Sequence, residues 1–236
     1  MQRADQSPVQ NRLLAALPRK DYQRLARHLE PVTLTLGQVI YEPGSRIRHV
    51  YFPLSGVVSL LTVVGHGKAA EVAVVGNEGV VGGAATLDID VSHLRAIVQG
   101  GGSALRITTA HLQKATANNS LWFRELYRFS HALMSQAAQT AACNRFHKVE
   151  ARLARWLLAT RDRMHSHQLH LTQEFLSLML GVRRVGVTTA ATNLQKRHLI
   201  TYTRGNIQLT NPAALEAAAC ECYGAVKEIY RRSYRK

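Results

Sequence analysis

Acidic side chains are scarce in this chain of 236 residues: 15 Asp and Glu stand against 30 Lys and Arg, a formal net charge of +15. That imbalance favours anionic partners, nucleic acid first and anionic membrane second. Cysteine is scarce as well. Three of them, Cys143, Cys220 and Cys222, cannot build a disulfide framework, and so few thiols fit a reducing cytoplasm. Long apolar runs are missing. The longest, residues 57–64, falls far short of the ~20 residues of a membrane helix, so no membrane partner is expected. The opening Met1-Gln2-Arg3-Ala4-Asp5-Gln6 has no apolar h-region, so no secretory signal is expected. Catalytic signatures are missing too. There is no nucleophile elbow, zinc-protease motif or Walker loop, because neither Gly76-Asn77-Glu78-Gly79 nor Gly100-Gly101-Gly102 leads into a lysine–serine helix start; an enzyme is not expected. What is present is an ordinary globular composition, 46% hydrophobic and 19% charged, with length enough for a real core.

Three textures follow one another. Residues 9–30 read as two short helices, with Leu13, Leu14, Leu17, Leu25 and Leu29 apolar. Pro18-Arg19-Lys20-Asp21 turns between them, because proline is tolerated only in a helix's first turn. From 31 to about 107, β-rich runs at 32–36, 38–41, 49–52, 57–64, 70–75, 94–99 and 103–107 alternate with glycine and proline. Many short strands with glycine turns predict a compact all-β roll or barrel. From about 110 to 163 the chain reads as helix. Trp122, Leu126, Phe129, Leu133, Gln136 and Thr140 alternate at spacings of four and three, a seam of ~3 heptads. Such a seam is either a dimerisation face or one face of a core helix. Arg145-Phe146-His147-Lys148 reads as a hinge into a second helix at 149–160. Positive charge is densest beyond it, with 15 basic and 6 acidic residues in 148–236.

Residues 169–210 are the most informative. Thr172 is a candidate N-cap, with Glu174 in the first turn where the helix dipole favours a carboxylate. Phe175, Leu176 and Met179 supply an apolar face, and Leu180-Gly181-Val182 reads as a tight turn. Val187, Ala190, Ala191 and Leu194 then fall at i, i+3, i+4 and i+7, one apolar face of a second helix. Arg184, Val185, Thr188, Thr189, Thr192 and Lys196 lie mostly off that face. Two helices joined by a short glycine turn form the DNA-reading helix-turn-helix, whose second helix lays its N-terminal side chains on base edges in the major groove. Residues 201–209 follow as β-formers flanking a Gly205-Asn206 turn, a hairpin of the kind called a wing.

At this point the chain resembles the Crp/Fnr superfamily of bacterial transcription regulators. The likeness is carried by residues 36–44, similar to that family's opening strand and turn, and by 49–58, similar to its next hairpin. A helix at about 117–143 sits where the family has its dimer helix, and 171–209 resembles its winged helix-turn-helix. The resemblance implies an α+β chain: an N-terminal double-stranded, jelly-roll-like β-roll sensor with its preceding helices (1–116), a dimerisation helix and hinge (117–147), and a winged helix-turn-helix DNA-binding domain (148–236). It also implies a homodimer on double-stranded, pseudo-palindromic operator DNA, with RNA polymerase as a partner if the protein activates. Matching by position puts Arg184, Val185 and Thr189 on the bases. Arg183, Gln173, Thr188, Lys196 and Arg204 are expected at phosphates or flanking positions, where they orient rather than read. Arg184 can pair bidentately with guanine; Val185 and Thr189 are suited to thymine methyls or single hydrogen bonds.

The sequence departs from its nucleotide-binding relatives. They carry a Gly-Glu pair and, about ten residues on, an arginine pair that takes the cyclic phosphate. Here Gly82-Gly83 and Ser92-His93 stand in those places, which removes a charge-assisted bidentate contact and argues against cyclic AMP. The effector pocket is therefore expected at Gly82, Gly83, Ser92, His93 and Arg95, with Arg106 and Arg124 as further cations for a small anionic effector. No cofactor or metal is expected. Three cysteines cannot hold a four-cysteine cluster, and the one-residue gap of Cys220-Glu221-Cys222 is shorter than typical zinc spacing. His165, His167 and His170 read as a solvated connector. An alternative to the regulator is a ligand sensor with mainly protein–protein output and non-specific DNA binding, which would collapse with salt.

Overall fold

β-branched runs separated by glycine corners dominate the first half of the chain, and they pair as two antiparallel sheets. The computed structural model describes residues 10–65, 68–117 and 119–234; the expectations for the opening six residues and for a helix starting at residue 9 lie outside them. Two short helices come first, α1 (Arg12–Ala15) and α2 (Arg19–Ala26), with Pro18 at the N-cap of α2. Asn11 caps α1 with its side-chain oxygen, while its amide donates to the carbonyls of Pro53 and Gly79 at 3.0 and 2.8 Å, bolting this segment to the roll.

The strands are β1 (Glu30–Leu34), β2 (Val39–Tyr41), β3 (His49–Pro53), β4 (Val57–Val64), β5 (Lys68–Val75), β6 (Arg95–Gly100) and β7 (Gly102–Thr108). One sheet has the order β1-β7-β3 and the other β2-β6-β4-β5. Their inner faces bury Tyr41, Val50, Phe52, Val58, Val98 and Ile107. At the corner before β4, Gly56 has φ +85°, and a side chain there would meet the Gly100 carbonyl at 2.6 Å, so only glycine fits.

Three helices follow: α3 (Thr109–Thr116), α4 (Ser120–Phe146) and α5 (Val149–Met164). Asn119 caps α4 through its side chain, and the extended His147 and Lys148 break α4 from α5. The structure corrects the dimer seam. Trp122, Leu126, Phe129, Gln136 and Thr140 are buried and Leu133 is half-buried, all within the single chain. Trp122 stands edge-on to Phe52, Phe129 packs where a side chain at Gly79 would be, and the Gln136 amide lies 2.9 Å from the Tyr230 hydroxyl. The exposed stripe of α4 is Tyr127, His131, Met134, Ala138, Ala141 and Arg145, which alternates by the same four and three. A heptad pattern states that a face is apolar and not which surface covers it, and here the roll covers the more apolar of two parallel stripes.

The C-terminal part contains β8 (Gln168–His170), α6 (Gln173–Leu180), α7 (Arg184–Lys196), β9 (Ile200–Thr203), β10 (Asn206–Leu209), α8 (Pro212–Ala218) and α9 (Cys222–Ser233). Its sheet has the order β8-β10-β9. Two details differ from expectation. Thr203 pairs with Asn206, so the wing turn is Arg204-Gly205, both with positive φ (50° and 85°), rather than Gly205-Asn206. His170 belongs to a third strand opposite Asn206 and not to a loop. Leu157, Leu176, Val187, Leu194 and Ile207 form the local core. Helix α9 turns back onto α4 and the roll: Tyr234 donates to the Glu78 carbonyl at 2.7 Å, and the Arg12 guanidinium lies 3.9 Å over the Tyr234 ring.

Candidate nucleic-acid interface and sensor site

The helix-turn-helix is built by local capping. Thr172 Oγ1 accepts from the Phe175 amide and starts α6; Gly181, at φ +61°, ends it and lets the chain turn into α7. Ala190 and Ala191, both 3% exposed, let α7 lie close on the core. This leaves the opposite face of α7 to solvent. Arg184, at the first position of the helix, and Thr188, Thr192 and Gln195 share a groove of about 400 Å³ with Gln173 and the wing residue Arg204. Thr188 Oγ1 lies 2.9 Å from Gln173 Oε1, which ties the N-terminus of α6 to α7. Val185 is 66% exposed, and Thr189 returns its hydroxyl to the Val185 carbonyl.

The structure therefore gathers Gln173, Arg184, Thr188 and Arg204, with Val185 and Thr189 on the neighbouring exposed turn. Arg183, the N-cap of α7, borders a different groove with Lys68 and Glu174, and Lys196 is exposed at the far end of the helix. Thr192 and Gln195 join this groove beyond the expected contacts, and their helical spacing from Arg184 and Thr188 is the signal in the sequence that marks them.

The expected effector pocket is corrected. A side chain at Gly82 would meet the Tyr41 hydroxyl at 2.5 Å, and one at Gly83 would meet Val80 at 2.7 Å, so both positions face packed protein. Ser92 folds its hydroxyl onto the Leu94 carbonyl, and His93 is exposed. Arg95 is paired with Glu42 at 2.9 Å, Arg106 with Glu30 at 2.8 Å and Arg124 with Glu125 at 3.5 Å. The hydrogen bond from Arg106 holds the Glu30 carboxyl below its ordinary pKa. Each of these three cations thus has a carboxylate partner within the chain.

Between the roll and the C-terminal part runs a buried ring of hydrogen bonds. Trp156 of α5 donates to Glu71 of β5 (3.0 Å), and Gln99 of β6 donates to Thr160 of α5 (2.6 Å). Ser59 of β4 lies 2.7 Å from Glu71 Oε2 and 2.6 Å from Gln99 Oε1. One hydroxyl proton cannot serve two acceptors, so a protonated Glu71 completes the ring by donating to Ser59. Burial accordingly pushes Glu71 up to about 7, against the pull of its hydrogen bonds and of Arg155 and Arg163.

A second cluster, whose members no metal-site spacing joins in the sequence, is assembled only in three dimensions. Cys143 and His147 lie one turn apart at the end of α4, and the α8–α9 junction brings Cys220 and Cys222 against them. Their four donor atoms all lie within 4.8 Å of one another. The hydrogen bond between Cys143 and Cys220, helped by the charge of Arg155, lowers the Cys143 thiol and raises that of Cys220.

A sensor-like roll joined through one long helix to a winged helix-turn-helix defines a class of DNA-binding regulators. Comparison with known proteins agrees. The profile described as "Cyclic nucleotide-binding domain" matches residues 31–119, and that described as "Crp-like helix-turn-helix domain" matches residues 151–218. The chain thus carries a cyclic nucleotide-binding domain followed by a Crp-like helix-turn-helix domain, in keeping with its resemblance to the Crp/Fnr regulators. Among solved structures, it is similar to a protein assigned to the crp/fnr regulators from Eubacterium rectale (13% identity, TM-score 0.69, 87% of this chain and 96% of that one). FixK2 from Bradyrhizobium japonicum has the same fold (16% identity, TM-score 0.66, 81% and 98%). So does the c-di-GMP-responsive global regulator CLP from Xanthomonas campestris (15% identity, TM-score 0.66, 80% and 98%). No curated protein matches the chain. Among the described residues, no helix is long and apolar enough to cross a membrane.

Proposed function

We propose that the protein is a cytoplasmic homodimer that reads a pseudo-palindromic operator through α7. The observation that carries this reading is the groove in which Arg184 opens the recognition helix beside Gln173, Thr188 and the wing residue Arg204. On this reading Arg184, Val185 and Thr189 meet base edges, while Arg183, Gln173, Thr188, Lys196 and Arg204 hold the phosphates. The second copy lies along the exposed stripe of α4, where Tyr127 is 58% and Met134 65% exposed at heptad spacing from one another. The functional divisions fall at 116/117 and 147/148, so that a change in the roll reaches the DNA-binding part through α4 and the hinge.

Gly83 and Ser92-His93 stand where the nucleotide-binding relatives carry their glutamate and arginine pair, so a cyclic monophosphate is not the effector expected of this roll. The test is selection from a random DNA library on the purified protein at physiological salt with no nucleotide added. The expected product is a palindrome with half-sites about one helical turn (~34 Å) apart. Recovery of unselected, salt-sensitive DNA alone would contradict a reader that is competent without a ligand.

A further inference from the structure

We infer that Cys143, His147, Cys220 and Cys222 form a binding site for a zinc-class divalent metal ion, which staples the α8–α9 junction to the end of α4. The inference stands independently of the DNA-reading assignment.

The donor set is three thiols and one imidazole, the combination that selects tetrahedral zinc over the hard, oxygen-seeking cations. Zinc–sulfur bonds of about 2.3 Å set sulfur–sulfur edges of about 3.8 Å in a tetrahedron. Cys143 Sγ lies 3.5 Å from Cys220 Sγ, and Cys222 Sγ lies 3.5 Å from His147 Nδ1. Two of the separations thus stand near those a metal would impose, and all four donor atoms lie within 4.8 Å of one another. The backbone explains how a Cys-x-Cys pair serves. Cys220 precedes α9 and Cys222 is its first residue, so the chain bends between them and both sulfurs reach the same side. Cys222 also opens a 12-residue helix, whose positive end favours a negatively charged ligand shell.

The surroundings are those of a metal ligand shell. His147 Nε2 lies 3.0 Å from Glu221 Oε1, which fixes the tautomer with its proton on Nε2 and leaves the Nδ1 lone pair facing the sulfurs. Gln139 donates from Nε2 to Cys222 Sγ at 3.0 Å, a contact that stabilises a thiolate. Zinc with three thiolates carries one net negative charge. Arg152 and Arg155, 5% and 7% exposed, supply positive field, and each has a buried Nε with no partner among the described residues. Arg152 also donates to the Leu180 carbonyl, the last residue of α6. The site therefore sits where the long helix, the hinge and the helix-turn-helix meet.

The test uses the reduced full-length protein, titrated with cobalt and then with zinc in competition with a chromophoric chelator. The expected result is one metal per chain, with the thiolate-to-cobalt charge transfer and strong visible bands of a tetrahedral sulfur-rich site. Zinc should displace the cobalt and protect all three thiols from alkylation. Cys143→Ser and Cys222→Ser should each lower metal affinity by at least ten-fold. The wild-type titration alone decides the matter if a variant fails to fold. A reduced wild-type protein that takes up no metal overturns the proposal. So does metal that binds undiminished in the Cys143→Ser/Cys222→Ser double variant, or an octahedral cobalt spectrum. If the reduced protein takes no zinc but mild oxidation joins Cys143 to Cys220, the cluster is a redox pair and the metal site is refuted.

Discussion

Arg184 stands at the first position of α7 with its side chain in the groove between helix and wing. Replacing it by alanine removes a bidentate donor, so Arg184→Ala is expected to cost ~1–3 kcal/mol on the selected operator and to relax specificity at one position per half-site. Competition binding against single-base variants measures both effects; wild-type affinity in the variant would show that the helix is read in another register. Glu71 makes a different prediction. Its folded pKa of about 7 lies above the ordinary 4.5 because it is fully buried. The folded chain therefore holds a proton that the unfolded chain has released, and stability falls as pH rises through that interval, then levels off. The limiting slope is ~1.4 kcal/mol per pH unit. Glu71→Gln keeps an acceptor for Trp156 and a donor for Ser59 and should flatten the slope. Urea melts of both proteins across the interval check this, and parallel curves would remove the protonated ring.

At the scale of elements, α4 carries two apolar stripes with separate tasks. The stripe holding Phe129 is core, and Phe129→Ala should destabilise the folded chain by ~3–5 kcal/mol. The stripe holding Met134 is the proposed contact with a second copy. Met134→Glu should shift sedimentation toward monomer while the thermal midpoint of dilute protein stays near wild type. A dimer that survives Met134→Glu would move the two-fold axis to another face. The wing shows the same division of labour on a smaller scale. Arg204 adopts a left-handed backbone at the turn, so its side chain is held by a two-residue hairpin rather than by a flexible loop.

At the scale of the whole molecule, the roll and the C-terminal part are joined by buried polar contacts as well as by the chain. Glu71, Gln99, Trp156 and Thr160 form one link and α9 forms another, with Tyr230 reaching Gln136 of α4. The charge of +15 acts over the same scale. Specific binding should weaken linearly in log–log salt titrations, and Lys196→Ala should reduce that slope by about 1 without changing the preferred sequence. An altered preference would make Lys196 a base-reading residue.

The first helices, most strands of the roll and the helix-turn-helix were legible in the sequence because each rests on local physics, whereas β8, α8, α9 and the break between α3 and α4 were not. Thr172 caps α6, Gly181 supplies a left-handed turn, Pro18 begins a helix, and β-branched runs between glycines become the strands of the roll. The helix-turn-helix could be read because its apolar face repeats within one helix of 13 residues. Which surface covers a face was not local. The seam from Trp122 to Thr140 has the right period for a dimer, and only the packed roll and α9 show that it is occupied within the chain. The same holds for the sensor stretch, where Arg95 meets its carboxylate partner Glu42 from 53 residues away in the chain. Cys143 and Cys220 are 77 residues apart, so no spacing rule could join them. The sequence determined the elements and their caps; the tertiary structure decided which side chains meet, because burial and ligand geometry depend on distances that chain separation does not encode.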